Sequence, residues 1–177
     1  MNPRLATPSL EFKKSYLSLL EEIRQRGEPF IPFPLKFPAE DFPALLARLE
    51  ACTRGSEIAA GFVAHETFWL VNDTGEVLGV SNLRLTLNES LRKDGGPIGY
   101  GIRPTARRQG YATLILRETL RHARERGIFR ALVTCRKKNV GSAKAILKNG
   151  GVLEAEELLP DRSDFLQPYW ISNVAGT

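Results

Sequence analysis

The fold is decided by residues 101–112, which read GIRPTARRQGYA. A strand ends at Pro104, and a basic turn that holds Gly110 leads directly into a strong helix. The first N–H groups of a helix have no backbone partner, and the helix dipole is positive there. The turn therefore predicts an anion site of the phosphate-binding kind, to which Arg107 and Arg108 add charge. A tight strand–helix turn with surface arginines is the alternative interpretation.

The elements on either side of this turn predict a mixed α/β protein. Periodic apolar residues indicate helices, and alternating or continuous apolar runs indicate strands. In the first half of the chain we expect a helix capped by Ser9, a Pro-rich loop over 28–38, a helix from Asp41 and a hairpin of 66–71 and 76–87. A polar loop over 88–96 and a strand over 98–103 follow. The rest should form helices over 112–126 and 142–149, a strand over 129–135 between them, and strands near 152–158 and 168–172.

Two expectations concern side chains in the middle of the chain. Alternation in the second arm of the hairpin predicts one shared face for Val77, Gly79, Ser81, Leu83, Leu85 and Leu87. His65 lies just before a strand, and we expect it at the surface, with a place in the wall of a pocket as the alternative.

Length and composition exclude several classes of protein. The chain has 177 residues, of which 42% are hydrophobic and 25% charged, as in ordinary globular proteins of one domain. Two cysteines and two histidines are too few for a disulfide framework or a typical metal site. No apolar run reaches the ~18 residues of a spanning helix, and no signal peptide is recognisable. We therefore expect a cytoplasmic, metal-free protein without a membrane partner.

Positive charge is concentrated in one segment. Residues 103–148 hold thirteen Lys and Arg against two Glu, whereas the whole chain has a net charge of only +5. Such a block indicates a polyanionic partner or a solvated helix face. Nucleic acid is disfavoured because the cations are not interleaved with aromatics, Phe129 being the main exception. The acidic remainder of the chain weakly favours a cationic acceptor.

Two linked blocks of this sequence resemble the GNAT superfamily of acyl-CoA-dependent N-acyltransferases. The first is Ile102-Arg-Pro followed by Arg107-Arg-Gln-Gly110-Tyr-Ala112, which is similar to the family signature [Q/R]-x-x-G-x-[G/A]. The second runs from Cys135 through Asn139 and Ser142 to Gly150, in the expected order and spacing. Residues 66–171 carry the match, and residues 1–60 form a helical, Pro-rich part of the same single domain, 1–177.

A narrower resemblance is to a branch of uncharacterised predicted acetyltransferases. It covers Asn82 to Glu89, Gly99 to Pro104, and Tyr169 to Ile171. Members of the branch often carry a His where this chain has Pro97, so one possible base is missing.

The resemblance implies a GNAT-like fold and acetyl-CoA as the acyl donor. The fold would be a mostly antiparallel mixed sheet flanked by helices, with splayed strands that form the CoA cleft. Amides of Arg108, Gln109, Gly110, Tyr111 and Ala112 would hold the pyrophosphate, with Thr113 close behind. Gly101, Ile102 and Arg103 would hold the pantetheine arm through backbone groups. Asn139 and Ser142 would lie beside the thiol, although a turn residue and a plain helix cap are the alternatives.

The resemblance also implies direct attack by a primary amine in a ternary complex, with no metal. Many members use a Tyr as acid where this chain has Ile146, so the acid and base stay open. Tyr100 and Glu89 are the candidate catalytic residues. A buried core tyrosine and a solvated loop acid are the alternatives.

Three functions remain in competition, in this order. The first is an N-acetyltransferase for an unidentified amine on a small molecule or protein, possible as a homodimer. The second is a CoA-binding regulator that has lost catalysis, and the third is a nucleic-acid-binding module that uses residues 103–148.

Overall fold

Two antiparallel sheets carry the architecture in the computed structural model, which describes residues 3–56, 58–161 and 163–174. The first sheet has the order β1 (Arg4–Ala6), β2 (His65–Val71), β3 (Val77–Arg84) and β4 (Ile98–Ile102). The second contains β5 (Arg130–Arg136), β6 (Gly151–Leu153), β7 (Glu157–Leu158) and β8 (Phe165–Ser172), and β8 pairs with each of the other three. With helices on the sheets, the fold is the mixed, mostly antiparallel α/β fold that the sequence predicts.

The helices are α1 (Lys13–Gln25), α2 (Phe42–Arg54), α3 (Glu89–Lys93), α4 (Tyr111–Glu125) and α5 (Val140–Lys148). Short 3₁₀ turns cover 10–12, 33–36 and 104–106. Asp41 caps α2 by accepting from the Ala44 amide at 3.0 Å. Ser9 does not cap α1, because a 3₁₀ turn lies between them. The Ser9 hydroxyl bonds the Glu11 side chain instead.

Opposite faces of the first sheet are covered by different helices. On one face Trp69 is fully buried. The Tyr16 ring of α1 stacks on it with the ring centroids 4.4 Å apart, and the Phe42 ring of α2 lies 6.2 Å from it, centroid to centroid. On the other face a hydrogen bond of 2.9 Å joins the Thr119 hydroxyl of α4 to the Ser81 hydroxyl of β3. The apolar stripe of α4, which includes Ile115 and Leu116, is buried there as the helical periodicity predicts.

The sheet is interrupted between β4 and β5. These strands are neighbours but share no ladder. They touch at one end, where a Cβ on Gly96 would lie 2.0 Å from the Leu132 carbonyl oxygen. No pairing joins the rest of β4 to β5, and residues of the free edge of β4 and of the start of α4 border one cavity. The splayed strands expected from the sequence are therefore present.

Three expectations about the hairpin region are wrong. The second arm ends at Arg84, because residues 85–88 leave the sheet before α3. A register shift between Leu70 and Val71 places Val77 on the α1 face, whereas Gly79, Ser81 and Leu83 face α4. His65 is buried, at 4% exposure, because Phe33 and Phe37 of the Pro-rich loop pack on it.

Candidate functional site

A cavity of about 890 Å³ lies in the gap beside β4. Its walls come from the free edge of β4, the start of α4, the exposed side of α5, and the segment from the end of α1 to Leu35. Twelve of the fourteen site residues suggested by the sequence border it; Gln109 and Glu89 do not. The two sequence blocks, although about thirty residues apart in the chain, therefore meet at one site.

The turn before α4 carries a row of unpaired amides, and of its residues from Arg108 to Ala112 all but Gln109 border the cavity. Arg108 has φ of +63° and Gly110 of +85°, so the chain turns sharply into the helix. No acceptor among the described residues takes the amides from Arg108 to Ala112, whereas those of Thr113 and Leu114 bond the Gly110 carbonyl. Consecutive free amides at a helix start form an anion-binding nest. The position of Gly110 is open, because a Cβ there would meet nothing within 4 Å.

Two lysines of α5 face the same end of the cavity. Lys144 and Lys148 border it one helical turn apart, and neither pairs with a carboxylate among the residues that the structure covers. The Asn149 side chain donates to the Thr113 carbonyl at 3.1 Å, which holds the end of α5 against the first turn of α4. Sequence reasoning missed both lysines, although their i, i+4 spacing on a helix was readable. With Arg108 they make this end strongly positive.

The other two arginines of the first block have structural partners. Arg103 points away from the cavity, is 5% exposed, and is held by Glu22 of α1 at 2.8 Å and by the Val77 and Ser15 carbonyls. Arg107 makes a two-pronged ion pair with Glu28 and donates from Nε to the Ile102 carbonyl at 3.2 Å. Both side chains fasten the turn to the α1 region. The charge that Arg107 was expected to add to the anion site is therefore paired with Glu28, and the role expected of Arg103 concerns its backbone groups, not this side chain.

The hydrogen-bonding phase of β4 determines which backbone groups face the cavity. Arg103 N–H bonds the Leu78 carbonyl at 2.8 Å, and Arg84 N–H bonds the Pro97 carbonyl at 2.7 Å. In an antiparallel ladder the backbone groups of alternate residues bond the same neighbouring strand. Those of Gly101 therefore bond β3, whereas those of Tyr100 and Ile102 point the other way, into the gap. Of the predicted pantetheine residues only Ile102 thus has a backbone group directed there, and Tyr100 adds to it.

Tyr100 and Ser142 meet across the gap. The Tyr100 hydroxyl lies 2.8 Å from Ser142 Oγ. Burial raises the pKa of Tyr100 to about 12, so the phenol is neutral and able to donate at physiological pH. Asn139 Oδ1 accepts from the Ser142 amide at 3.1 Å, which makes Asn139, and not Ser142, the cap of α5. Tyr100 is the acidic group best placed at the gap.

Two other residues considered from the sequence lie elsewhere. The Glu89 side chain is 87% exposed on α3 and pairs with Lys93, so the solvated-acid alternative describes its position. Ile146, which occupies the position of the family tyrosine, is fully buried and packs against Gly151, away from the cavity.

Several arginines and lysines of the basic segment, residues 103–148, form ion pairs with carboxylates of the same chain. Arg126 pairs with Glu66 at 2.6 Å, and Arg121 with Glu118 and Glu125. Within the described ranges, no cluster of His, Cys, Asp and Glu has the make-up of a metal site. None of the described helices is both long and apolar enough to span a bilayer.

A family model described as "Acetyltransferase (GNAT) domain" matches residues 20–152. No curated protein sequence gives a significant match. Among solved structures, a ribosomal-protein-S5-alanine acetyltransferase from Vibrio fischeri superposes with a TM-score of 0.68 at 13% identity, covering 98% of this chain and 94% of that one. RimJ from Mycobacterium smegmatis, in complex with CoA-disulfide, gives 0.67 at 18% identity, with 95% and 80% covered. A spermidine N-acetyltransferase from Vibrio cholerae gives 0.62 at 13% identity, with 96% and 95% covered. These similarities show a shared fold.

Proposed function

The chain belongs to the GNAT acetyltransferase family, and from that premise we propose that it transfers an acetyl group from acetyl-CoA to a primary amine by direct attack in a ternary complex. As a member of that family it is an acyltransferase. The whole chain would act as one unit, since segments between Leu19 and Leu35, between Tyr100 and Thr113, and between Asn139 and Lys148 all contribute to the cavity wall. A homodimer and a cytoplasmic location stay predictions.

The cavity offers groups suited to two parts of acetyl-CoA, the pyrophosphate and the pantetheine arm. The pyrophosphate would be held by amides from Arg108 to Ala112, where neutral donors and the helix dipole favour a doubly charged group. Lys144, Lys148 and Arg108 would balance the remaining phosphate charge. The pantetheine arm would use the backbone groups of Tyr100 and Ile102 that β3 leaves unpaired. When bound, acetyl-CoA supplies an activated thioester.

The residues of the gap contribute protonation and orientation. The neutral Tyr100 hydroxyl would donate its proton to the departing thiolate, and Ser142 at 2.8 Å would hold the phenol in position. Asn139 fixes Ser142 through the α5 cap. Glu89, because of its exposed position, is not part of this proposal.

The observation that carries the proposal is the row of free amides at the start of α4, opening on a cavity beside an unpaired strand edge. The test is calorimetric titration of acetyl-CoA into the protein and into Gly110→Trp. Gly127→Trp is a matched control, since Gly127 also has positive φ (+80°) and open space around its Cα but lies off the cavity. We expect wild type and Gly127→Trp to bind and Gly110→Trp to lose binding at least tenfold. Equal binding by the two variants would refute the site.

A second candidate is a CoA-binding protein without turnover. Ile146 favours it, because this position is buried and apolar where the resemblance implies a catalytic tyrosine. Acetyl-CoA binding without acetylation of any amine at the concentrations tested would support this candidate over the enzyme.

A further inference from the structure

A second concave surface lies between α4 and the end of β8, and it shares no residue with the cavity beside β4. Its volume is about 310 Å³. The walls are one face of α4 from Arg117 to Arg124, Asn149 at the end of α5, and the segment from Ile171 to Asn173. We call this surface the α4 groove. The proposed acetyl transfer makes no use of it.

Three arginines of one helix face line the α4 groove: Arg117, Arg121 and Arg124. Their i, i+4, i+7 spacing spreads them over about 10 Å along the helix axis. Among the described residues that border the groove, Glu118 is the single carboxylate, and it pairs with Arg117 at 3.2 Å and Arg121 at 3.5 Å. Arg124 forms no ion pair with any residue that the structure describes. The groove therefore keeps a net positive charge.

Amide side chains fix the walls of the α4 groove relative to one another. Asn173 is 7% exposed, and its Nδ2 donates to the Leu120 carbonyl at 2.7 Å and to the Ile128 carbonyl at 2.8 Å. Asn149 donates to the Thr113 carbonyl at 3.1 Å, which joins the end of α5 to the start of α4. The helix that carries the arginines is thus tied to both other walls. A surface that is ordered before binding loses less entropy when a ligand arrives.

An exposed aromatic ring lies at one end of the α4 groove. Phe129 is 56% exposed, and its carbonyl accepts from the amide of Asn173, which borders the groove, at 2.8 Å. Arg124 stands nearby on the last turn of α4, which ends at Glu125. The sequence disfavoured nucleic acid because its cations and aromatics are not interleaved along the chain. The fold nevertheless brings Phe129 to the end of a groove that arginines line, and this is the combination that single strands use.

We propose that the α4 groove binds a short stretch of single-stranded nucleic acid. Its phosphates lie on the guanidinium groups of Arg117, Arg121 and Arg124, which match phosphate oxygens in two-pronged pairs. One base stacks on the Phe129 ring, as planar bases do on aromatic side chains whatever the sequence. An acidic polypeptide would answer the charge but has no planar base for the ring, and a duplex keeps its bases stacked inside. This binding is independent of the proposed acetyl transfer, because the two sites share no residue.

The test measures the fluorescence anisotropy of a short labelled oligouridylate, and of an oligothymidylate of equal length, with the full-length protein over a range of salt concentrations. Each phosphate contact of a single strand contributes about −0.7 to the slope of log K against log salt, so three arginines predict a slope of about −2. Binding of either strand with that slope supports the proposal, and the tighter of the two identifies RNA or DNA as the source. Absence of binding by both strands at low salt, or equal binding of the oligouridylate paired with its complement, would overturn it.

The arginines are tested by a pair of double variants. Arg121→Gln/Arg124→Gln removes two of the three contacts, so the slope should fall to about −0.7 and the affinity at low salt at least tenfold. The matched control is Arg24→Gln/Arg54→Gln, which removes the same two charges from exposed positions of α1 and α2, off the groove. The control should keep the slope of the wild type. Equal losses in both double variants would mean attraction by net charge alone and would refute the site.

Two further arms test the stacking and the separation from the acetyl-CoA cavity. Phe129→Leu should weaken binding at least fivefold, whereas Phe129→Tyr, which keeps an aromatic ring, should bind within about twofold of wild type. Equal affinities of these two variants would refute the role of the ring. Excess acetyl-CoA should leave the oligonucleotide bound, and Gly110→Trp should bind it like the wild type. Displacement by acetyl-CoA, or by polyglutamate as effectively as by unlabelled oligonucleotide, would overturn the proposal.

Discussion

Replacing Arg103 by methionine should destabilise the protein without removing a direct contact to acetyl-CoA. Arg103 is 5% exposed, and its guanidinium donates to Glu22, to the Val77 carbonyl at 2.9 Å and to the Ser15 carbonyl at 2.5 Å. Removing one partner of a buried ion pair costs about 3–5 kcal/mol. Glu22 keeps bonds to Thr105 and some contact with water, so we expect the lower end, about 3 kcal/mol. For a chain of this size that lowers Tm by about 6–12 °C.

The measurement is urea and thermal denaturation of three proteins: wild type, Arg103→Met and Arg107→Met. Arg107 serves as the control because its pair with Glu28 is half-exposed, and such pairs contribute about 0.2–1 kcal/mol. We expect Arg107→Met to melt within about 4 °C of wild type. Should both variants lose the same stability, or Arg103→Met melt like wild type, the reasoning from burial and hydrogen bonding is wrong. Folded Arg103→Met should still bind acetyl-CoA within a few-fold of wild type.

Three further predictions concern the gap and its surroundings. Tyr100→Phe removes the hydroxyl that faces Ser142, and steady-state kinetics should find kcat about 100-fold lower with acetyl-CoA affinity unchanged; an unaltered kcat would exclude the phenol as the acid. Bonding to Arg107 lowers the pKa of Glu28, so the stability that this pair adds is present at neutral pH. It is lost as the pH falls below 4.5, the ordinary pKa of the carboxyl. The Tm difference between wild type and Arg107→Met should therefore persist at pH 7 and vanish in acid. Burial raises the pKa of Cys135 to about 11, and the native thiol should resist a disulfide reagent that modifies it readily in denaturant.

The positions of the two sequence blocks were predictable because each depends on local chemistry. A proline that ends β4, a glycine with positive φ and an amphipathic helix determine the turn at 104–111 without help from distant residues. The expected cap of α5 was Ser142, but Asn139 takes that role, since the helix begins earlier, at Val140. The family match over 20–152 agrees with the resemblance that these blocks suggested.

Features that depend on long-range contacts were not predictable. The buried position of His65 is set by two phenylalanines that lie about thirty residues earlier in the chain. The side-chain partners of Arg103 include Glu22 and Ser15 of α1, more than eighty residues away, whereas the resemblance implied a cofactor role only for its backbone groups. Strand β1 has only three residues and no alternating pattern, so its pairing with β2 left no local signal. Which residues of β4 bond β3 is likewise decided by the register with that strand. Gly101 does so, whereas Tyr100 and Ile102 do not.

The break between the two sheets also has a consequence for amide hydrogen exchange. Because β4 bonds β3 on one edge and no described strand on the other, the amides of Tyr100 and Ile102 sit in regular structure yet have no ladder partner. They should exchange with deuterium on the time scale of a loop, while the neighbouring Gly101 and Arg103 amides exchange slowly with the sheet. A ligand that lies along this edge would slow only the first pair. Every second amide of a single strand would thus report on occupancy, and its neighbours would serve as an internal reference.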